Sequence, residues 1–198
     1  MKESFKPSRR KLLKLLGLGA GAFLINAVTG PLTGGGALSS SGNLGGRSLL
    51  RRRSNGLSIS LTERFEDKKR GLSFYYPSNY MLKEFSEKGG GKTFVFEDPE
   101  GFNGFQLFVT TYYEDHITEE RMSLDIPSGV VRAIEKKRVG VNKDISAVSF
   151  YSEDRTIGDT FEGWLIRDKY IFEFTTYGDL DGVLNRVLDT LEYKNVLV

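Results

Sequence analysis

From residue 57 onward the chain reads as a soluble α+β domain whose last helix lies on a sheet. Two patterns say so. Apolar and polar residues alternate in short segments separated by Gly, Pro, Asn and Asp, the mark of half-buried strands joined by turns. The final apolar residues, Leu180, Val183, Leu184, Val187, Leu188 and Leu191, instead recur at i, i+3, i+4, i+7, i+8 and i+11. That spacing puts them on one stripe of a helix.

Leu57, Ile59 and Leu61 alternate with Ser58, Ser60 and Thr62 as the first strand. Leu72-Ser73-Phe74-Tyr75-Tyr76 is the second, closed by the turn Pro77-Ser78-Asn79. Residues 80–85 and 93–97 flank Gly89-Gly90-Gly91 and form a hairpin. Asp98-Pro99-Glu100-Gly101 turns the chain into a long aromatic strand over 105–113. Thr118 caps a short helix through about Leu124, with Glu119 and Glu120 in the first turn, where the positive end of the helix dipole favours them. Pro127-Ser128-Gly129 ends it. Residues 130–141 fit a helix or a strand equally. Val141-Asn142-Lys143-Asp144 turns into a strand over 145–151. Residues 160–166 and 170–176 make the clearest hairpin, around Arg167-Asp168-Lys169, and Asp179 is the expected N-cap of the last helix.

The first 56 residues read differently. Residues 15–28 are apolar but carry Gly17, Gly19 and Gly21, and they are shorter than the about 20 residues a membrane span needs. A signal-peptide core behind a basic leader fits them. Gly35-Gly36-Ala37 and Val28-Thr29-Gly30 offer small residues for cleavage, and an uncleaved membrane tether is the alternative. Residues 31–56 are rich in Gly, Ser and Leu, a composition that packs no core and reads as a flexible linker. Arg51-Arg52-Arg53 sits within it as a solvated charged run, a contact for anionic lipid headgroups or a processing site. The expected organisation is therefore a signal or anchor at 1–30, a linker at 31–56 and a domain at 57–198.

Charge divides along the same boundaries. Residues 1–30 hold six Lys or Arg and one acid, and 31–56 hold four and none. The other 18 bases face 25 acids, so the domain is acidic although the whole chain is +2. This argues against nucleic acid as a partner, because a nucleic-acid interface needs a basic patch on the folded part. The chain has no cysteine, which removes disulfides, thiolate metal sites and cysteine nucleophiles.

Two resemblances are carried by particular residues. Ser8-Arg9-Arg10-Lys11-Leu12-Leu13-Lys14, ahead of the modest apolar run, resembles a twin-arginine export signal. It implies export in the folded state, with Arg9 and Arg10 read by the twin-arginine export machinery. Gly71-Leu72-Ser73-Phe74-Tyr75-Tyr76-Pro77-Ser78-Asn79-Tyr80 and Thr160-Phe161-Glu162-Gly163-Trp164-Leu165-Ile166, the latter with Tyr170-Ile171-Phe172-Glu173-Phe174 and the final helix, resemble the PsbP-like domains of secreted bacterial proteins. The resemblance covers roughly 65–194. It implies an antiparallel sheet of about six to eight strands flanked by helices, an α+β sandwich. Its motifs are core and turn residues, so no metal or photosystem-binding residue is carried over.

Catalytic constellations are sparse. His116 is the only histidine and follows Glu114 and Asp115, a grouping that suits a divalent cation or a general base, though a lone His among surface acids is usually solvated. The acidic pairs Asp98/Glu100, Glu153/Asp154, Asp159/Glu162 and Asp179/Asp181 match no fixed calcium spacing. Most fall in turns or caps. Gly89-Gly90-Gly91-Lys92-Thr93 lacks the spacing of a phosphate loop and reads as a hairpin tip. Tyr75-Tyr76 and Tyr112-Tyr113, on strands, place one ring on each face. Outward rings make a platform for a protein or glycan unless a helix covers that face too. His116, Trp164 and Tyr112 are the candidate ligand contacts. No cofactor, metal or catalytic residue is assigned. The leading expectation is an exported, non-enzymatic binding or assembly domain at the cell envelope. The competing one is an envelope hydrolase or lyase using acidic residues or His116.

Overall fold

The computed structural model describes residues 59–87, 89–100, 103–126, 128–154 and 158–195. The signal, anchor and linker readings, with Arg9 and Arg10, lie outside the described residues. No helix among the described residues is long and apolar enough to cross a membrane.

Among the described residues, ten strands and two α-helices follow in order: β1 (Leu61–Asp67), β2 (Leu72–Pro77), β3 (Met81–Ser86), β4 (Lys92–Glu97), β5 (Gly104–Thr111), α1 (Glu119–Asp125), β6 (Val131–Val139), β7 (Ile145–Asp154), β8 (Gly158–Arg167), β9 (Tyr170–Tyr177), α2 (Asp181–Asp189) and β10 (Glu192–Tyr193). They form a three-stranded sheet, β1-β2-β10, and a seven-stranded sheet, β3-β4-β5-β9-β8-β7-β6. All pairings are antiparallel. The large sheet is two meanders, β3–β5 and β6–β9, joined where β5 pairs with β9.

Alternation gives this sheet two buried faces. On the first, Phe96, Phe105, Leu107, Phe172, Phe174 and Leu165 share one core with Phe65, Leu72 and Phe74 of the small sheet and with Leu184, Val187 and Leu188 of α2. Leu188 descends where β8 has Gly163: a Cβ built there would lie 2.6 Å from Leu188 Cδ1. On the second face, Phe150, Trp164 and Ile171 pack with Ile126, and Tyr112, Ile117 and Met122 lie against them. This face is covered because the chain leaves β5 near the middle of the sheet and must reach β6 at its edge. The crossover carries α1 over β9, β8 and β7.

Most sequence-predicted elements are found, with shifted bounds. The first strand starts at Leu61 rather than 57 and buries Phe65 and Asp67; Leu57 and Ser58 lie outside the described residues. Asp67 tolerates burial because Arg70 donates to it, Nη1 to Oδ2 at 2.5 Å. Thr118 caps α1 as expected, its Oγ1 accepting from Arg121 N at 3.2 Å. The ambiguous stretch after it is the edge strand β6, interrupted by a bulge between Arg132 and Glu135 where Ala133 has φ 51°. The β8–β9 turn is Asp168-Lys169, both at positive φ, as a tight two-residue hairpin requires.

The last helix is a correction. Residues Gly178–Leu180 make one 3-10 turn and α2 begins only at Asp181, so Asp179 lies inside that turn and is not the N-cap. Leu180 holds the cap position without a side-chain bond.

Candidate functional site

The segment between β5 and β6 gathers most of the polar chemistry on the second face. Tyr112 and Tyr113, expected on a strand, lie just past its end at Thr111. They therefore do not point to opposite faces of a sheet. Tyr112 is the hub of a closed loop. Its hydroxyl donates to His116 O at 3.0 Å and accepts from Thr118 N at 3.2 Å, while its own N–H donates to Lys169 O at 2.8 Å. A tyrosine held at both its hydroxyl and its backbone N–H shapes the loop rather than reaching for a ligand.

Below the loop, Arg121 turns from α1 into the sheet. Its Nε and Nη2 donate to Glu173 Oε1 of β9 at 2.8 and 2.5 Å, and Nη2 lies 2.9 Å from Asp125 Oδ2. The guanidinium also sits 5.9 Å over the Phe108 ring and 6.0 Å over that of Tyr112. A charge is tolerated here because two carboxylates and two ring faces replace its water.

One register row away, Glu162 faces the same way, opposite Thr175 as Glu173 is opposite Trp164. Its side chain is fully buried. Oε1 accepts from Ser152 Oγ at 3.1 Å and Thr160 Oγ1 at 2.9 Å; Oε2 accepts from Thr175 Oγ1 at 2.6 Å and Trp164 Nε1 at 3.3 Å. Four donors on two oxygens fill the acceptor capacity of a carboxylate. Trp164, a candidate ligand contact from the sequence, is 1% exposed, and its indole N–H is committed to Glu162. Its ring packs with Ile126 and Met122 beneath α1, so it is not free to contact a ligand.

The surface above this seam is open. Tyr113 is 79% exposed and Leu124 of α1 is 68% exposed. Glu114, Asp115, His116, Glu119 and Glu120 are exposed around them. His116 Nδ1 lies 2.7 Å from Asp115 Oδ1, and the imidazole holds that carboxyl below its usual range, first by the hydrogen bond and then by charge. Among the described residues no three His, Cys, Asp or Glu side chains are placed to hold a metal ion.

The predicted acidic pairs do not converge. Asp159 and Glu162 have odd and even positions on β8 and point to opposite faces; Asp159 pairs with Arg132 at 2.7 Å. Glu153 and Asp154 are consecutive on β7 and diverge in the same way. Asp98 accepts from Asn103 Nδ2 at 2.6 Å, and Asp181 accepts from the Tyr151 hydroxyl. Sequence reasoning missed Arg121 and Glu173. The available signal was a Trp on the polar-looking face of β8, which only a covered face accommodates.

No protein-family model matches the chain, and no curated protein matches it. Among solved structures, the solution structure of cyanobacterial PsbP (CyanoP) from Synechocystis is similar, at 15% identity over 70% of this chain and 96% of that chain, with a TM-score of 0.43.

Proposed function

We propose that this chain is an exported, PsbP-like binding domain that docks an envelope protein or glycan through the loop around Tyr113 and the outer side of α1, with no chemistry of its own. The observation that carries the reading is the combination of an exposed tyrosine and leucine among five acidic or imidazole side chains with a rigid footing beneath them, the Arg121–Glu173 pair and the Tyr112 hydroxyl. Exposed aromatics on a fixed backbone lose little entropy on contact, which is what an anchor residue needs. The acidic rim favours a partner surface that presents Lys or Arg. The Ser8–Lys14 motif supports delivery across the cytoplasmic membrane by the twin-arginine route. The carboxylates of Glu162 and Glu173 argue against the hydrolase reading, since both are buried and engaged.

The test uses the full chain in its native cell. Wild type is expected in the envelope fraction with one reproducible cross-linked partner, and Tyr113→Ser with Leu124→Ser is expected to lose that partner while keeping its fold. Arg9→Lys with Arg10→Lys is expected to hold the chain in the cytoplasm. An unchanged partner after the surface substitutions would overturn the docking site. Undiminished export of the Lys-Lys variant would overturn the route.

A further inference from the structure

Three turns and the last strand meet at one end of the domain. Lys194 N donates to Gly71 O at 2.9 Å, which sets β10 against the β1–β2 turn. The Tyr193 hydroxyl donates to Asp168 Oδ2 at 2.9 Å, and the Arg70 guanidinium lies 5.4 Å over the Tyr170 ring, so the β8–β9 turn stands beside both. Arg167 Nη2 donates to Asp144 O at 2.9 Å and brings in the β6–β7 turn. The segments 67–71, 138–144, 167–169 and 193–194 hold eight Lys or Arg against three Asp. Of the 18 bases and 25 acids in 57–198, that leaves ten bases and 22 acids elsewhere. An acidic domain therefore carries one basic pole.

The exposed cations here are mainly lysines on separate turn tips: Lys68, Lys69, Lys143, Lys169 and Lys194. Among the described residues only Lys143 of these has an ion pair, with Asp189. An ammonium is a hydrated point charge on a flexible stem, which suits a diffuse negative surface; a fixed carboxylate is matched better by the fork of an arginine. Val141, on the tip of the β6–β7 turn, is 58% exposed and is an apolar side chain that a bilayer interface can receive. The pole also has two unlike flanks. The small sheet and α2 lie on the first face of the large sheet, and the β6–β7 turn joins them, since Gly140 N donates to Leu188 O and Val141 N to Leu191 O, each at 3.0 Å. The other flank is acidic: Tyr112 N donates to Lys169 O at 2.8 Å, and Glu114 and Asp115 follow Tyr112. An anionic surface attracts the first flank and repels the second, which fixes how the domain sits and leaves Tyr113 free. We propose that this pole docks the domain on an anionic bilayer, with Lys68, Lys69, Lys143 and Lys194 on the lipid phosphates and Val141 at the interface.

The chain has no cysteine, so one introduced thiol carries an environment-sensitive dye to one place. In the full chain, Asn142→Cys puts the dye at the pole, and Glu153→Cys puts it at the far end of β7, about 26 Å from Ile145. Whatever the basic residues before 57 contribute to lipid binding is common to both probes, so the difference between them reads the pole. Vesicles of phosphatidylglycerol with phosphatidylcholine are expected to blue-shift the dye of Asn142→Cys and not that of Glu153→Cys; phosphatidylcholine alone is expected to shift neither. Adding Lys68→Gln, Lys69→Gln, Lys143→Gln and Lys194→Gln is expected to raise the lipid needed for half the shift at least about tenfold. Salt at about 0.5 M acts in the same direction. The far-UV spectrum separates loss of the pole from loss of the fold, and Lys68→Gln with Lys69→Gln, in one exposed turn, is expected to give part of the effect alone. An undiminished response in both variants, equal shifts at the two probes, or an equal response to neutral vesicles would overturn the proposal. So would loss of the response to inorganic phosphate at an ionic strength where chloride leaves it intact, which would make the pole a site for free phosphate.

Discussion

Arg121 of α1 reaches Glu173 of β9 with both Nε and Nη2 on a single carboxylate oxygen, at 2.8 and 2.5 Å. The two residues are 52 positions apart, and through them a seven-residue helix is fixed to the middle of the sheet. A helix this short has little stability of its own, so its placement comes from tertiary contacts. The same pair fixes the loop that holds Tyr113 and His116. Removing Arg121 leaves Glu173 and Asp125 beside an emptied space in the interior. Arg121→Ala is expected to lower unfolding stability by about 3–5 kcal/mol, the usual cost of breaking a buried pair from one side. Adding Glu173→Gln is expected to restore part of it, since a neutral amide loses less on burial. Urea unfolding of the two single variants and the double variant checks the coupling. Strictly additive losses would mean that the pair contributes nothing as a pair.

Gly163 and Leu188 are coupled by shape rather than charge. The Leu188 side chain is fully buried, and its Cδ1 would stand 2.6 Å from a Cβ at position 163. Gly163→Ala alone is expected to cost about 1–3 kcal/mol through overpacking. Leu188→Ala alone is expected to cost about 2–5 kcal/mol by leaving a cavity. In the Leu188→Ala background the new methyl fills part of that cavity, so Gly163→Ala is expected to become neutral or stabilising. Thermal melts of the four proteins in this cycle decide the point. A Gly163→Ala penalty that survives in the Leu188→Ala background would place its origin in the backbone instead.

The contrast between these two contacts shows what the sequence reveals. The hairpin of β8 and β9 was legible because Phe161, Leu165, Phe172 and Phe174 alternate cleanly and the residues between them include turn formers at 168–169. The same alternation made Glu162 and Glu173 look like solvent-facing residues. They are buried because α1 crosses over them, and a crossover is a property of strand order, which periodicity does not report. β6 was illegible for a local reason: Arg132, Glu135, Lys136, Lys137 and Arg138 suit a charged edge strand, and the bulge at Ala133 breaks the period-2 pattern at its middle. Asp67 hid the true extent of β1 in the same manner, since its burial depends on an arginine three residues away. Tyr112 looked like half of a two-faced pair only as long as the strand was drawn to 113.

Tyrosines with raised hydroxyls, Tyr80 and Tyr151 among them, shape how the fold responds to alkali. Burial, helped by nearby Asp98, pushes the Tyr80 hydroxyl up to about 12. The bond it donates to Asp181, helped by burial, pushes Tyr151 up to about 12 as well. An unfolded tyrosine titrates near about 10. Between these values the unfolded chain gives up protons that the folded one keeps, so stability falls as pH rises; below about 10 the contribution is fully present. Burial of Tyr193 raises its hydroxyl and acts in the same sense, whereas burial of Lys137 lowers its ammonium and acts in the opposite one. Urea midpoints measured from about pH 9 to 12 are therefore expected to drop steeply in wild type and less steeply in a variant carrying Tyr80→Phe and Tyr151→Phe. The two substitutions separate at neutral pH. The Tyr80 hydroxyl is buried without a partner, so Tyr80→Phe removes a desolvated group and is expected to leave stability unchanged or higher. Tyr151→Phe gives up its bond to Asp181 and is expected to cost about 1 kcal/mol. A double variant with the wild-type slope above pH 10 would show that these hydroxyls do not set the alkaline limit.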